Sequence, residues 1–162
     1  VALVGAMNPC PCGHYGHPLK PCTCAPPQRE RYVNRVSGPL LDRFDLIVEV
    51  PWQDPFSFET DIAEGSTAIR ARVAAARAVQ VDRAPSVRES TNARLEPRSL
   101  RRLASLDRDG RSILLAAVRR HGLSMRGHDR LVRVARTIAD LSGSDMIAAD
   151  HVAEALQYRL PA

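Results

Sequence analysis

The chain has 162 residues, 44% of them hydrophobic, and carries a formal charge of +5, enough for one domain with a real core or two small ones. No apolar run is long enough to span a bilayer, and no charged start leads into an apolar segment with a cleavage site, so neither a membrane helix nor a signal peptide is recognisable. The positive charge is almost all arginine, with Lys20 the only lysine. That reads either as coding bias or as phosphate chemistry, because guanidinium binds phosphate oxygens bidentately.

Val1–Met7 is short and apolar, the pattern of a strand buried on both faces of a parallel sheet. The start on Val1-Ala2-Leu3-Val4, without Met, resembles the middle of a strand, so the sequence reads as a piece of a longer chain. Asn8-Pro9 breaks the strand, and residues 9–27 are dense in Pro, Gly, Cys and His, as in an irregular loop. Gln28–Val36 reads as a short helix with Tyr32, Val33 and Val36 on one face. Ser37-Gly38-Pro39 ends it and leads through Leu40-Leu41-Asp42-Arg43 into Leu46–Val50, a second strand stopped by Pro51. Arg43 falls at the join, either paired with Asp42 or Asp45 or offered to an anion on a neighbouring molecule.

Residues 51–65 have no period and read as a linker. From Ser66 the period becomes helical. A helix of roughly Thr67–Gln80 carries Ile69, Val73 and Ala76, and a polar loop, Asp82–Ala93, follows. Four more helical segments come next. Pro97 opens the first, and Asp109 can cap the second, which carries Ile113, Leu114, Ala117 and Val118. Ser124 can cap the third, striped by Leu131, Val134, Ala135, Ile138 and Leu141 and closed by Gly143. Ile147–Tyr158 is the last. The chain therefore divides into the end of an α/β sheet domain, 1–50, and an all-helical domain, 66–162.

Three groups of residues carry possible chemistry. Asn8 directly follows a strand, where open α/β sheets bind ligands, and its amide can hold a water or a phosphate oxygen. Taken alone, it reads more simply as an Asn-Pro turn. Cys10, Cys12, Cys22 and Cys24 can complete a tetrahedral zinc site, although each pair is separated by one residue instead of the usual two to four. His14 and His17 are alternative ligands, and reduced thiols or an oxidised pair are the other readings. Arg126 lies in the first turn of the Ser124–Leu141 helix, where an anion is favoured. Arg130, Arg133 and Arg136 read as a solvated face. No Gly-x-x-x-x-Gly-Lys-Ser/Thr phosphate loop is present, and no pair of carboxylates has a glycosidase-type spacing.

Three motifs in order carry a resemblance: Ala6-Met7-Asn8-Pro9-Cys10-Pro11-Cys12-Gly13, Ser37-Gly38-Pro39-Leu40-Leu41-Asp42-Arg43-Phe44-Asp45-Leu46, and Val134-Ala135-Arg136-Thr137-Ile138-Ala139-Asp140-Leu141. With His151–Arg159, they resemble the C-terminal part of magnesium-chelatase-like AAA+ ATPases of the YifB/ComM type, over essentially the whole chain. The resemblance implies the α/β end of a AAA+ P-loop NTPase sheet domain followed by an all-α C-terminal lid. It makes Asn8 sensor 1, Arg43 an arginine finger reaching a neighbouring subunit's ATP, and Arg126 sensor 2, with Arg130 or Arg133 as alternatives. It implies ATP and Mg2+ as cofactors in the full-length protein. It also implies a hexameric ring, DNA as partner in branch migration during natural transformation, and a cytoplasmic, bacterial setting. A magnesium-chelatase-type motor driving metal insertion into a porphyrin is the second function it allows. Walker A and B segments would lie upstream of Val1, and the 162 residues alone would be inactive.

Overall fold

The structure, a computed structural model, describes residues 3–54 and 64–159. Most of the expected linker and the ends of the chain lie outside the described residues. The chain forms two compact units, one of Val1–Phe44 with Glu49–Ile62 and one of Asp45–Val48 with Ala63–Ala162.

In the first unit, helix α1 spans Pro26–Val33 and α2 spans Gly38–Leu41. Helix α1 begins two residues before the expected Gln28, because the Pro26-Pro27 pair supplies the preset φ of a first helical turn. The rest of its described residues form turns and irregular chain.

The expected sheet is absent from the described residues, where the sole β pairing is the isolated bridge between Leu106 and Ile147. Residues 3–7 and 46–50 carry no regular secondary structure. Leu3, Val4, Val48 and Val50 are exposed, and the Ile47 N–H makes a lone bond to the Tyr158 carbonyl at 2.7 Å. The apolar pattern was suited to strands, but a strand exists only where neighbours accept and donate its backbone hydrogen bonds.

The second unit is helical: α3 Ser66–Arg83, α4 Pro97–Leu103, α5 Arg108–His121, α6 Met125–Leu141 and α7 Ala149–Gln157, with short 3-10 turns at Val87–Glu89 and Asn92–Arg94. Its core joins Leu95, Leu100, Leu114, Leu131, Val132, Ala135, Ala139, Ile147, Val152 and Ala155. Helix α6 supplies the central stripe, with α7 and α3 packed against it and α5 packed on α7. Helix α3 is longer than expected, and only its second half is packed. Ala76 and Gln80 are buried, whereas Ile69 and Val73 are exposed.

Local caps fix the helix starts. Asp107, not Asp109, caps α5, accepting the Gly110 N–H at 2.6 Å. Ser124 caps α6, accepting the Gly127 N–H at 3.1 Å. The segments ahead of α5 and α7 are tied together, with Asp107 N–H donating to the Ile147 carbonyl at 3.1 Å and Ile147 N–H to Ser105 at 2.8 Å. The crossing requires glycine at 110, where a Cβ would stand 2.7 Å from the Ile147 carbonyl oxygen.

Arg136 overturns the expectation of a solvated arginine face. It is fully buried, with Nε 3.1 Å and Nη2 3.0 Å from Asp140 Oδ1. Its guanidinium also donates to the carbonyls of Asp145, at 2.7 Å, and Ser144. Asp140 in turn accepts both Arg83 Nη atoms, at 2.9 and 2.8 Å, and Asn92 Nδ2 at 2.6 Å. Asn92 also donates to Thr137 Oγ1 at 3.1 Å, and its N–H reaches Gln80 Oε1 at 3.3 Å. Burial lowers the Arg136 pKa, an effect opposed by Asp140. Nearly every donor here has an acceptor, which is the condition under which a buried ionic network is tolerated. The Arg-Thr-Ile-Ala-Asp run is thus the seam binding α3 and the Asn92 turn to α6.

Candidate functional site

The first unit is organised by its thiols. The Gly13 N–H bonds to the Cys10 carbonyl at 3.0 Å, closing a turn in which Pro11 presets φ. Gly13 takes φ +79, a left-handed conformation open to glycine. The turn brings Cys10 and Cys12 together, and the chain returns to add Cys22 and Cys24 just before α1. The four sulfurs lie within 4.8 Å of one another. Cys10–Cys12, Cys12–Cys22 and Cys10–Cys22 are separated by 3.4, 3.6 and 3.7 Å. These are not disulfide lengths, and all four cysteines are free. A tetrahedron with Zn–S near 2.3 Å has S···S edges of about 3.8 Å, so the donor set fits zinc.

The thiols are electrostatically unequal. Cys12 is pulled down to about 5, chiefly by the backbone N–H groups of His14 and then Thr23 donating to it. Burial pushes Cys24 up to about 11. His14 and His17 are not among the grouped ligands. His17 Nδ1 instead accepts the N–H groups of Leu19 and Lys20, at 3.0 and 3.1 Å. Arg29 of α1 donates to the Cys24 carbonyl at 3.3 Å, anchoring the helix to the loop.

Asn8 is exposed and leads into this loop, and Arg43 is exposed just after α2. The Arg43 backbone N–H donates to Leu40 at 2.9 Å, closing the turn that presents the side chain.

In the second unit, Arg126 is exposed in the first turn of α6. With Arg130 and Arg133 it lines a cavity of about 440 Å³ that also includes Asp45, Ala93 and Asp129. Arg130 Nε lies 3.6 Å from Asp45 Oδ1. Arg133 Nη2 donates to the Leu95 carbonyl at 2.8 Å, while its buried Nε finds no acceptor among the described residues. A buried, unsatisfied guanidinium N–H beside two more arginines is suited to an anion. From the residues alone Arg126 is expected at this helix start and Arg133 on a solvated face, while the family resemblance leaves Arg133 as an alternative to Arg126. The missed signal is tertiary: the Leu95 carbonyl that holds it is far along the chain. For Arg136, the i, i+4 spacing to Asp140 was available as a signal.

A family model described as magnesium chelatase, subunit ChlI C-terminal, matches residues 63–159, and one described as magnesium chelatase, subunit ChlI, matches residues 1–57. The chain is 42% identical over 159 residues to competence protein ComM of Haemophilus influenzae, covering 97% of this chain and 30% of ComM. It shows the same identity and coverages with the uncharacterized protein YifB of Escherichia coli. An uncharacterized Mycobacterium tuberculosis protein is 39% identical over 159 residues, covering 97% of this chain and 31% of that protein. The chain thus spans about 30% of the length of these relatives. No helix among the described residues is long and apolar enough to cross a membrane.

Proposed function

The chain belongs to the magnesium chelatase ChlI family, and from that premise we propose that it is the sensor- and lid-bearing part of a AAA+ ATPase motor that remodels DNA. The observation that carries this reading is the three-arginine cavity with the unsatisfied Arg133 Nε. Arg126 and Arg133 would donate to phosphate oxygens of a nucleotide held by another part of the protein. Bound ATP with Mg2+ would supply the phosphoryl group, and these arginines would offset the negative charge of its phosphate oxygens. Asn8 would serve as sensor 1, holding a water or phosphate oxygen with its amide. Arg43, exposed at a turn, would act in trans on the neighbouring subunit of a ring, expected to be hexameric. An arginine in that role is worth roughly 10³–10⁵ in turnover.

Residues 1–50 would form the end of the AAA+ core, with residues 9–27 inserted, 51–65 would be the linker and 66–162 the lid. The sheet would be completed by strands from the rest of the protein, which would supply the ladder that 3–7 and 46–50 lack. The four cysteines would hold zinc, replacing the hydrophobic core that a loop of this composition cannot build. The likeness to a competence protein supports DNA as the substrate, with branch migration as the expected action in a bacterial cytoplasm. The chelatase description of the family favours a second reading, a motor for metal insertion into a porphyrin.

The test is made in the full-length protein. Arg126→Ala and, separately, Arg43→Ala should reduce ATP turnover at least a hundredfold (~3 kcal/mol in activation free energy) while nucleotide binding survives Arg43→Ala. Undiminished turnover in Arg43→Ala would overturn the finger assignment, undiminished turnover in Arg126→Ala the sensor 2 assignment, and absence of ATP hydrolysis in the full-length protein the motor reading itself. ATPase activity stimulated by DNA, with no tetrapyrrole partner, selects the first reading over the second.

A further inference from the structure

Around the thiols, the loop of the first unit gathers aromatic rings that remain in contact with solvent. The His17 ring lies 5.2 Å from that of Trp52, tilted by 47°, and 5.8 Å edge-on from His14. Tyr15 carries the Arg29 guanidinium 4.5 Å from its ring centroid. Tyr15 is 54% exposed and Trp52 38% exposed, so these rings are not a buried core. The groups they lie against are held in place. The bonds that His17 Nδ1 accepts from two backbone N–H groups fix its ring, and Arg29 is tied to Cys24. Between Asn8 and Val36 the chain carries Lys20, Arg29, Arg31 and Arg35 against the lone carboxylate Glu30.

Exposed rings on a fixed support, within a cationic segment, match the chemistry of an unpaired strand. Its bases offer π faces for stacking, and its phosphates offer charge. A duplex keeps those faces occupied by its own stacking. We infer that this ring cluster is a platform for single-stranded DNA, with Tyr15 and Trp52 stacking on bases and the loop's cations, Lys20 foremost, meeting phosphates. The inference rests on the DNA-remodelling reading and adds to it the strand form recognised and the residues that hold it.

Trp52 is the only tryptophan of the chain, so its fluorescence reports stacking directly. The full-length protein, with any tryptophan outside these 162 residues replaced by Phe, is titrated with labelled oligo(dT) at low salt, following oligonucleotide anisotropy and Trp52 emission together. Saturable binding with quenching is expected, weakening steeply with salt. Tyr15→Ala should lose roughly tenfold in affinity, Tyr15→Phe should retain it, and Lys20→Gln should flatten the salt dependence. Oligo(dT) binding without quenching, and unchanged in Tyr15→Ala, would overturn the platform and leave the DNA reading standing. Quenching by oligo(rU) alone would overturn it in favour of RNA. Self-association abolished by Tyr15→Ala, without quenching by oligo(dT), would assign the rings to protein contact and also overturn it. Absence of binding to single strand and duplex, together with no DNA stimulation of the full-length ATPase, would remove the DNA reading itself.

Discussion

Replacing Asp140 with alanine tests the internal wiring of the helical unit. Asp140 accepts from Arg83, Asn92 and Arg136 within 2.6–3.1 Å. Its removal leaves the buried Arg136 guanidinium with only the Ser144 and Asp145 carbonyls. Deleting one partner of a buried ion pair costs about 3–5 kcal/mol, because the surviving charge stays desolvated. Arg83, 22% exposed in its side chain, can relax towards water, so a value of ~4 kcal/mol is expected. For a domain near one hundred residues this lowers the melting midpoint by roughly 16–30 °C. The Arg72–Glu64 pair is the internal control. It makes two bonds as short, 2.8 and 3.0 Å, but its side chains are 52% and 44% exposed. Arg72→Ala should therefore cost under ~0.5 kcal/mol. Far-UV circular dichroism during urea and thermal unfolding measures both. If Asp140→Ala loses under ~1 kcal/mol, or no more than Arg72→Ala, the account of the network is refuted.

Gly110→Ala places a Cβ 2.7 Å from the Ile147 carbonyl oxygen and 3.1 Å from the Ala148 carbonyl carbon. Overpacking costs of ~1–3 kcal/mol should outweigh the ~1 kcal/mol gained in helix propensity, and urea midpoints should fall. Protein purified under reducing conditions without added metal should carry about one zinc per chain; stripping it should expose residues 9–27 to protease and leave the helical unit's melting unchanged. Because the folded pKa of Cys12 lies below its ordinary 9.0, its contribution to the loop's stability is complete above 9 and is lost as pH falls through about 5.

The helical unit was legible because its signals are local. Pro97 and Ser124 mark helix starts, and α6 carries a stripe of the right period. The cap of α5 was misplaced by two residues because Asp107 and Asp109 both suit the position, and the choice rests on which carboxylate meets the Gly110 N–H. The expected strands are not formed among the described residues, because an apolar pattern marks a segment suited to a strand, whereas a strand needs partners that those residues do not supply. Of the candidate site, the cysteines and Arg126 could be read from residue type and spacing. The fate of Arg133 and Arg136 could not, because their acceptors at Leu95, Ser144 and Asp145 are backbone carbonyls brought close only by folding.

The bridge between Leu106 and Ile147 has a consequence for the order of assembly. About forty residues, comprising α5 and α6, must fold back before its partners meet, so it closes a long loop whose entropic cost falls on one short pairing. Helix α7 starts two residues beyond Ile147 and packs on both α5 and α6, so the bridge and the helix that joins the other two form together. In pulsed hydrogen exchange during refolding, amides of α5, α6 and α7 should gain protection at one rate. Protection of α5 and α6 well before α7 would contradict that sequence of events.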